Sequence, residues 1–293
     1  MAKGLITCLV AGQYTICDLS NNSIVVAKPR GVFRIKGVSP KVGDYVEYNL
    51  NAGDATITKI EKRKTDLVRP AICNITQAFV VFSVKEPDLN LNLLDRFITI
   101  LEFYNITPIL VFNKWDLLTN AKEKEEVENI INYYKEIGYE TLVTSAKDNL
   151  VSELSPFICG NISVITGQSG VGKSSIINVL DPSKSIKTND ISKALNRGKH
   201  TTRHVELLEI SGGWVADTPG FGTMDFIDMN EVDISHSFNE FFSASSKCKY
   251  NGCLHINEPH CEIKKLVDEN KILKSRYENY LQFVTEAKSK RKW

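Results

Sequence analysis

Eight consecutive residues, Gly167-Gln168-Ser169-Gly170-Val171-Gly172-Lys173-Ser174, carry the full phosphate-binding pattern of glycine, four residues, glycine, lysine and a hydroxyl. Their context fits the chemistry, because the strand-like segment Asn161 to Thr166 precedes them and the helix-forming segment Lys173 to Leu180 follows. The glycines let backbone N–H groups wrap the β- and γ-phosphates of a nucleotide, and the helix N-terminus adds partial positive charge. Lys173 is expected to reach the β/γ oxygens and the Ser174 hydroxyl to ligate Mg²⁺. Ser175 joins the same set at the start of the helix. A chance glycine-rich turn would lack these flanks.

The phosphate loop does not distinguish ATP from GTP; Asn113-Lys114-Trp115-Asp116 does. It ends the apolar segment Pro108 to Phe112. An aspartate carboxylate accepts hydrogen bonds from guanine N1–H and the exocyclic amine, a donor pair that adenine lacks, and adenine would leave a buried carboxylate unpaired. After one more helix and strand comes Ser145-Ala146-Lys147, the pattern of a backbone N–H directed at guanine O6. Two base-reading loops at consecutive strand ends point to guanine.

Asp217-Thr218-Pro219-Gly220 closes a short apolar strand, as a γ-phosphate-sensing segment does. Asp217 is expected to hold Mg²⁺ through water and the Gly220 N–H to face the γ-phosphate. Between this segment and the phosphate loop lies Arg197-Gly198-Lys199-His200-Thr201-Thr202-Arg203. One of its threonines, Thr201 or Thr202, is expected to close on Mg²⁺, with Thr202 slightly preferred. The position after Gly220, where many GTPases carry a water-orienting glutamine, is Phe221, and an apolar ring cannot hold water. Slow intrinsic turnover is therefore expected. His200 is the candidate catalytic group, since an imidazole can orient or deprotonate water near neutral pH; contact with RNA or solvent is the competing role for it.

Cys248, Cys253, His255 and Cys261 form a third constellation, Cys-x₄-Cys-x-His-x₅-Cys. Three thiolates and one imidazole complete a tetrahedral Zn²⁺ site with no open position, so one structural zinc is expected. His260 is a competing ligand expected to stay outside the first shell. The remaining cysteines of the seven, Cys8, Cys17, Cys73 and Cys159, sit among apolar residues and read as small buried hydrophobes.

These residues must be positioned by two kinds of architecture. Residues 1 to about 68 read as short strands, with candidates Gly4–Val10, Gln13–Asp18, Ser23–Ala27, Gly31–Lys36, Asp44–Asn49 and Ala55–Lys59 separated by turn signals. Such strands suggest a small β-barrel of the oligonucleotide-binding kind. Lys28, Arg30, Arg34, Lys36 and Lys41 lie on or beside its middle strands, which suits RNA and equally suits solubility. From Asp66 the pattern becomes alternating strands and helices, which means a mostly parallel sheet with helices on both faces. Past Asp217 the strand signal ends, and a helix is expected over about Glu262 to Lys288. The basic residues of that end, Arg276 among them, suit either phosphate contact or a solvated helix face.

The order of the motifs is informative. An ordinary GTPase opens with the phosphate loop and ends with the base-reading loops; here the base-reading loops come first. The same sheet results if the original termini are joined and the chain reopens after Gly220, a circular permutation. That order, Gly198-Lys199-His200-Thr201-Thr202, the barrel-like start and the Cys/His cluster together resemble the small-ribosomal-subunit biogenesis GTPases of the RsgA family. Asn92-Leu93-Leu94-Asp95-Arg96-Phe97 and Arg276-Tyr277-Glu278-Asn279-Tyr280 extend the likeness over nearly the whole chain. The resemblance implies an RNA-binding barrel, a permuted GTPase domain and a mainly helical zinc domain, here over residues 1–68, 69–225 and 226–293. It also implies a monomer that binds the nearly mature small subunit and its rRNA and leaves on ribosome-stimulated GTP hydrolysis. His260 stands where that family often has glycine.

Composition agrees with a soluble, cytoplasmic protein: 293 residues, 42% hydrophobic, 24% charged, net charge +1. No apolar run approaches the roughly 20 residues needed to span a bilayer. Two readings compete with the GTPase assembly factor. One is an RNA-binding module whose nucleotide is only structural, opposed by intact Lys173, Ser174 and Asp217. The other is a P-loop kinase or ATP-driven enzyme, opposed by Asp116 and Ser145.

Overall fold

The computed structural model describes residues 1–35, 37–51, 54–67, 71–145, 151–184, 205–217, 225–226 and 229–290. The first strands are β1 (Ala2–Val10), β2 (Gln13–Asp18), β3 (Ile24–Pro29), β4 (Tyr45–Asn51) and β5 (Asp54–Ile60). They run in the order β2-β3-β5-β4-β1, and β1 also pairs with β2, so the sheet closes into a barrel. Leu5, Ile6, Ile16, Val46, Tyr48 and Ile57 fill it, each at most 1% exposed. Gly31–Lys36, expected as a strand, instead contains one helical turn, α1 (Val32–Ile35), between β3 and β4. Val32 and Ile35 favour strands, but the local fold overrides them. A strand there would leave no room for the turn that drops Phe33 into the barrel core, with Val38 N–H returning to the Phe33 carbonyl at 3.1 Å.

The barrel is joined to the next unit by a polar hinge that folds back onto it. Asp44, fully buried, accepts from Arg63 Nε and Nη2, each at 2.8 Å. The Cys73 thiol donates to the same carboxylate at 3.0 Å, and Asn74 Nδ2 donates to the Gly43 carbonyl at 2.8 Å. Gly43 has φ +90, and a Cβ on it would lie 2.0 Å from the Cys73 carbonyl oxygen. Lys41 serves this hinge, pairing with Asp66 at 2.5 Å. Lys28 and Arg30 are exposed on the barrel. Cys17 and Cys73 are buried as expected, whereas Cys8 is half-buried and Cys159 exposed.

Six strands follow: β6 (Gln77–Ser83), β7 (Thr107–Asn113), β8 (Glu140–Val143), β9 (Ile162–Thr166), β10 (Glu206–Ile210) and β11 (Gly213–Asp217). Their order is β10-β11-β9-β6-β7-β8. All neighbours are parallel except β10 and β11, the expected antiparallel pair. Every residue of β6 is buried, and period-two alternation sends Ala78, Val80 and Phe82 to one core and Phe79 and Val81 to the other. Helices α2 (Leu91–Phe103) and α3 (Ala121–Glu136) cover the first face. Helices α4 (Ser155–Ile158) and α5 (Lys173–Leu180) cover the second. A single pairing, Cys8 with Glu206, makes barrel and parallel sheet one continuous surface.

Among the described residues beyond β11 the elements are helices: α6 (Glu231–His236), α7 (Asn239–Ser245), α8 (Glu262–Asp268) and α9 (Lys274–Lys290). The long helix expected from Glu262 is broken into α8 and α9, because Asn270 adopts φ 56 and the Lys271 N–H turns back to the Leu266 carbonyl. α6 was not anticipated, although its capping box is in the sequence: Asn230 caps Asp233 N–H, and the Asp233 carboxylate caps Asn230 N–H. Arg276 is not part of a basic surface. It is 1% exposed and paired with Asp95 and Glu240, each at 2.5 Å.

Candidate guanine-nucleotide site and metal centre

Parallel register brings the motifs to one edge. Ser83 pairs with Asn113 across β6 and β7, Val80 with Thr166 across β6 and β9, and Ala216 with Val164 across β11 and β9. The carboxyl ends of β6, β7, β9 and β11 therefore open on the same crevice, where open α/β sheets bind ligands. Gly167 begins the phosphate loop opposite Val81; a Cβ there would lie 2.1 Å from the Val81 carbonyl oxygen, at φ +139. Only glycine fits. Gly172 is the second such position, with a Cβ placed 2.4 Å from Asn113 Nδ2.

Lys173 opens α5, and its ammonium donates to the Gly167 and Gln168 carbonyls at 2.8 and 2.6 Å. Burial lowers its pKa to about 8. Ser174 and Ser175 occupy the first turn of α5, Val171 is buried beneath the loop, and Ser169 and Gly170 form its exposed crest.

Asn113 ties base-reading loop to phosphate loop. Buried at 1% exposure, it donates from Nδ2 to the Val171 carbonyl at 2.8 Å and accepts from Thr144 Oγ1 at 3.0 Å. Lys114 sits in the left-handed region at φ 63, followed by a 3₁₀ turn over Trp115–Leu117 that presents Asp116. Ser145 Oγ donates to Asp116 Oδ1 at 2.8 Å, so the two base-reading segments are joined directly. The Lys114 ammonium donates to the Glu86 carbonyl, in the connection between β6 and α2. Neither Asn113 as a strut nor Glu86 as its neighbour's anchor is visible in a motif; both depend on strands far apart in sequence. The backbone of Asp217 ends β11 at the crevice. Expectations placed on Ala146, Lys147, His200, Thr201, Thr202 and Gly220 lie outside the described residues.

The second site lies between α7 and α8. One donor atom from each of Cys248, Cys253, His255 and Cys261 lies within 4.8 Å of all the others. His255 Nδ1 faces the thiols, 3.7 Å from Cys248 Sγ and 3.3 Å from Cys261 Sγ. Zinc with Zn–S bonds of about 2.3 Å in a tetrahedron needs S–S separations of about 3.8 Å, so the four residues fit that ion. Burial pushes the Cys253 thiol up to about 12 and raises Cys261 as well, and the cation of such a site reverses that direction. Burial lowers the His255 pKa, keeping the imidazole neutral and able to ligate. Its Nε2 has no hydrogen-bond partner among the described residues, and the ring is held by packing against Phe241 at 5.9 Å. His260 is exposed and outside the cluster.

The C-terminal helices dock on the nucleotide-binding unit through side chains of α2 and α9. Asp95 accepts from Arg276 Nη1 at 2.5 Å, Asn279 Nδ2 at 2.7 Å and Tyr134 Oη at 2.6 Å. Arg96 grips Glu286 with two bonds at 2.7 and 2.6 Å and stacks 4.7 Å from both Phe226 and Phe283. The two segments that extended the family likeness are thus the two halves of one interface.

A phosphate loop, an Asn-Lys-x-Asp strand end and an Asp-terminated strand on one sheet edge, met in this chain order, define a circularly permuted P-loop GTPase. Family models agree: the RsgA GTPase domain matches residues 60–227 and the RsgA N-terminal domain residues 3–57. The chain belongs to the RsgA family. The small ribosomal subunit biogenesis GTPase RsgA of Bacillus cereus is 46% identical over 99% of this chain and 99% of its own length. That of Bacillus subtilis is 40% identical, with 99% of each chain covered. Among solved structures, YloQ, a circularly permuted GTPase, superposes with a TM-score of 0.86 at 35% identity, covering 98% of this chain and 95% of its own. YjeQ from Thermotoga maritima superposes with a TM-score of 0.86 at 31% identity, with 98% of each chain covered. Among the described residues no helix is long and apolar enough to cross a membrane.

Proposed function

We propose that this GTPase hydrolyses GTP in late maturation of the small ribosomal subunit; its full-length relatives are named small ribosomal subunit biogenesis GTPases. The observation that carries the reading is the strut at Asn113, which binds guanine-reading and phosphate-binding loops into one pocket. Asp116, with Ser145 holding its Oδ1, accepts from guanine N1–H and the amine. Ala146 and Lys147 complete the base-reading loop. Gly167 to Ser175 cradle the phosphates, with Lys173 on the β/γ oxygens. Ser174, with Thr201 or Thr202 and Asp217 through water, would hold Mg²⁺, which supplies charge neutralisation at the transferring phosphoryl group. The Gly220 N–H faces the γ-phosphate.

Water attacks the γ-phosphorus, the bond to the β–γ bridging oxygen breaks, and GDP and phosphate leave. His200 orients that water and accepts its proton, replacing the glutamine that Phe221 cannot imitate. Cys248, Cys253, His255 and Cys261 hold one structural zinc. We divide the chain at 1–68, 69–225 and 226–293, with the barrel meeting rRNA and the protein acting as a cytoplasmic monomer.

The test is GTP hydrolysis by the purified chain alone, with small ribosomal subunits and with large ones. Stimulation confined to small subunits is expected, and His200→Ala should remove it. Turnover indifferent to both subunits would take the ribosomal assignment away and leave the GTPase.

A further inference from the structure

The connection from β6 to α2, residues 84–90, touches both halves of the nucleotide site. Its Glu86 carbonyl accepts from the Lys114 ammonium. Its Pro87 Cδ lies 3.9 Å from where a Cβ on Gly170 would stand, against the crest of the phosphate loop. Lys85 pins the connection to α3 through Glu123 at 3.0 Å. Asn90 then caps α2 by accepting from Leu93 N–H at 2.9 Å, so the connection and the helix move as one piece.

On its other side α2 holds α9. Asn92 Nδ2 donates to Asn279 Oδ1 at 2.7 Å, Asn279 Nδ2 to Asp95 Oδ2 at 2.7 Å, and Arg276 completes the buried pair with Asp95. α9 in turn carries the loop of the Cys/His cluster: Tyr277 Oη donates to the His255 carbonyl at 2.7 Å and Tyr280 Oη to the Leu254 carbonyl at 2.5 Å. From Asn92 through α9 to the cluster loop each link is a directional bond between buried or half-buried groups, whereas Glu86 and Asn90 at the nucleotide end are exposed.

We propose that α2 couples the metal module to the guanine pocket, with Asn279 and Tyr277 as positioning residues, so that zinc at the Cys/His cluster and guanine nucleotide each tighten the binding of the other. This rests on the guanine and zinc readings above. Coupling between two binding sites is reciprocal, so one factor must describe both directions.

The experiment uses the full chain, with GDP and Zn²⁺ as probes. GDP affinity is measured by calorimetry on zinc-loaded and zinc-stripped protein, and Zn²⁺ affinity by competition with a chromophoric chelator with and without GDP. A factor of about five in both directions is expected, at the low end of typical coupling. Asn279→Ala should lower it measurably while GDP and Zn²⁺ still bind, and Tyr277→Phe, which removes only a hydroxyl and with it one of the two bonds from α9 to the cluster loop, should lower it too. A factor of one in the unaltered chain overturns the proposal. A factor untouched by both substitutions overturns the route through α2. Failure to bind GDP, or to bind Zn²⁺, refutes the corresponding site reading and this inference with it, and is distinguished from uncoupled binding by the titrations themselves.

Discussion

Arg276 and Asp95 form an ion pair at 2.5 Å with both side chains 1% exposed, joining a helix of the nucleotide-binding unit to the last helix of the chain. Glu240 takes the guanidinium's other edge through Nε at 2.5 Å, and Phe238 stacks beneath it at 4.5 Å. Removing one member of such a cluster leaves the others charged and dry. Arg276→Ala is expected to cost about 3–5 kcal/mol, read as a shift of the urea midpoint. A loss under about 1 kcal/mol would mean that the two carboxylates find water when the arginine goes.

Nucleotide binding is expected to depend on pH through Lys173. Its folded pKa is about 8 against about 10.4 in an unfolded chain, so between those values the unfolded chain holds more protons. Burying the charged lysine therefore weakens the fold below about pH 8, and that penalty fades as pH rises towards 10.4. Phosphates favour the charged form, so binding above about pH 8 takes up a proton. GDP affinity should fall as pH rises through 8, approaching tenfold per unit, and calorimetry in buffers of different ionisation enthalpy should detect the proton. Affinity that stays level from about pH 7 to 9.5 would show that Lys173 does not meet phosphate.

Asn113→Ala should damage the pocket beyond any contact it makes with the base. It strands the Val171 carbonyl and the Thr144 hydroxyl, at about 1–3 kcal/mol for a buried unpaired group. GDP affinity is expected to drop at least tenfold and thermal stability with it. Equal affinity in the variant would mean that the two loops are independent.

Asp116→Asn should change the base rather than abolish binding. The amide keeps an acceptor for N1–H but turns a donor towards the position of the exocyclic amine, which suits a carbonyl there. GDP affinity should fall by a hundredfold or more while xanthosine diphosphate gains, since each mismatched polar group costs about 1–3 kcal/mol. Parallel titrations with the two diphosphates decide it; loss of both would mean a collapsed loop.

Chelation of the metal should loosen the C-terminal helices before the rest. Cys261 is the N-cap of α8, and α9 reaches the cluster loop through Tyr277 and Tyr280. Zinc-stripped protein, like Cys261→Ser, should lose amide protection in residues 248–290 while β6, β7 and β9 keep theirs. Unchanged exchange after verified metal removal would make the ion dispensable to the fold.

The sequence exposed what local chemistry decides. The phosphate loop announced itself because Gly167 and Gly172 are required by close backbone and side-chain approach, and those glycines are in the motif. Strands β6, β7 and β9 were legible as apolar runs between breakers. The turn at Val32–Ile35 was not, because its residues favour strands and only Phe33's seat in the barrel overrides them. Arg276 read as one more basic residue because its partners, Asp95 and Glu240, lie 181 and 36 residues away. The break at Asn270 rests on a single positive φ that helix periodicity does not report.

The permuted order also sets a timetable for the ribosome that makes this chain. Of the parallel sheet, β6, β7 and β8 emerge first, with Asn113 and the Asp116 turn between them, and can pair among themselves at once. β9 takes its place along the other edge of β6, where Gln77 waits for Ser163. Until then Phe79 and Val81 line an open edge, apolar on both faces, the kind of surface that nascent chains aggregate through. A growing chain thus acquires its guanine reader before its phosphate loop, with the β6 edge unpaired until β9 arrives.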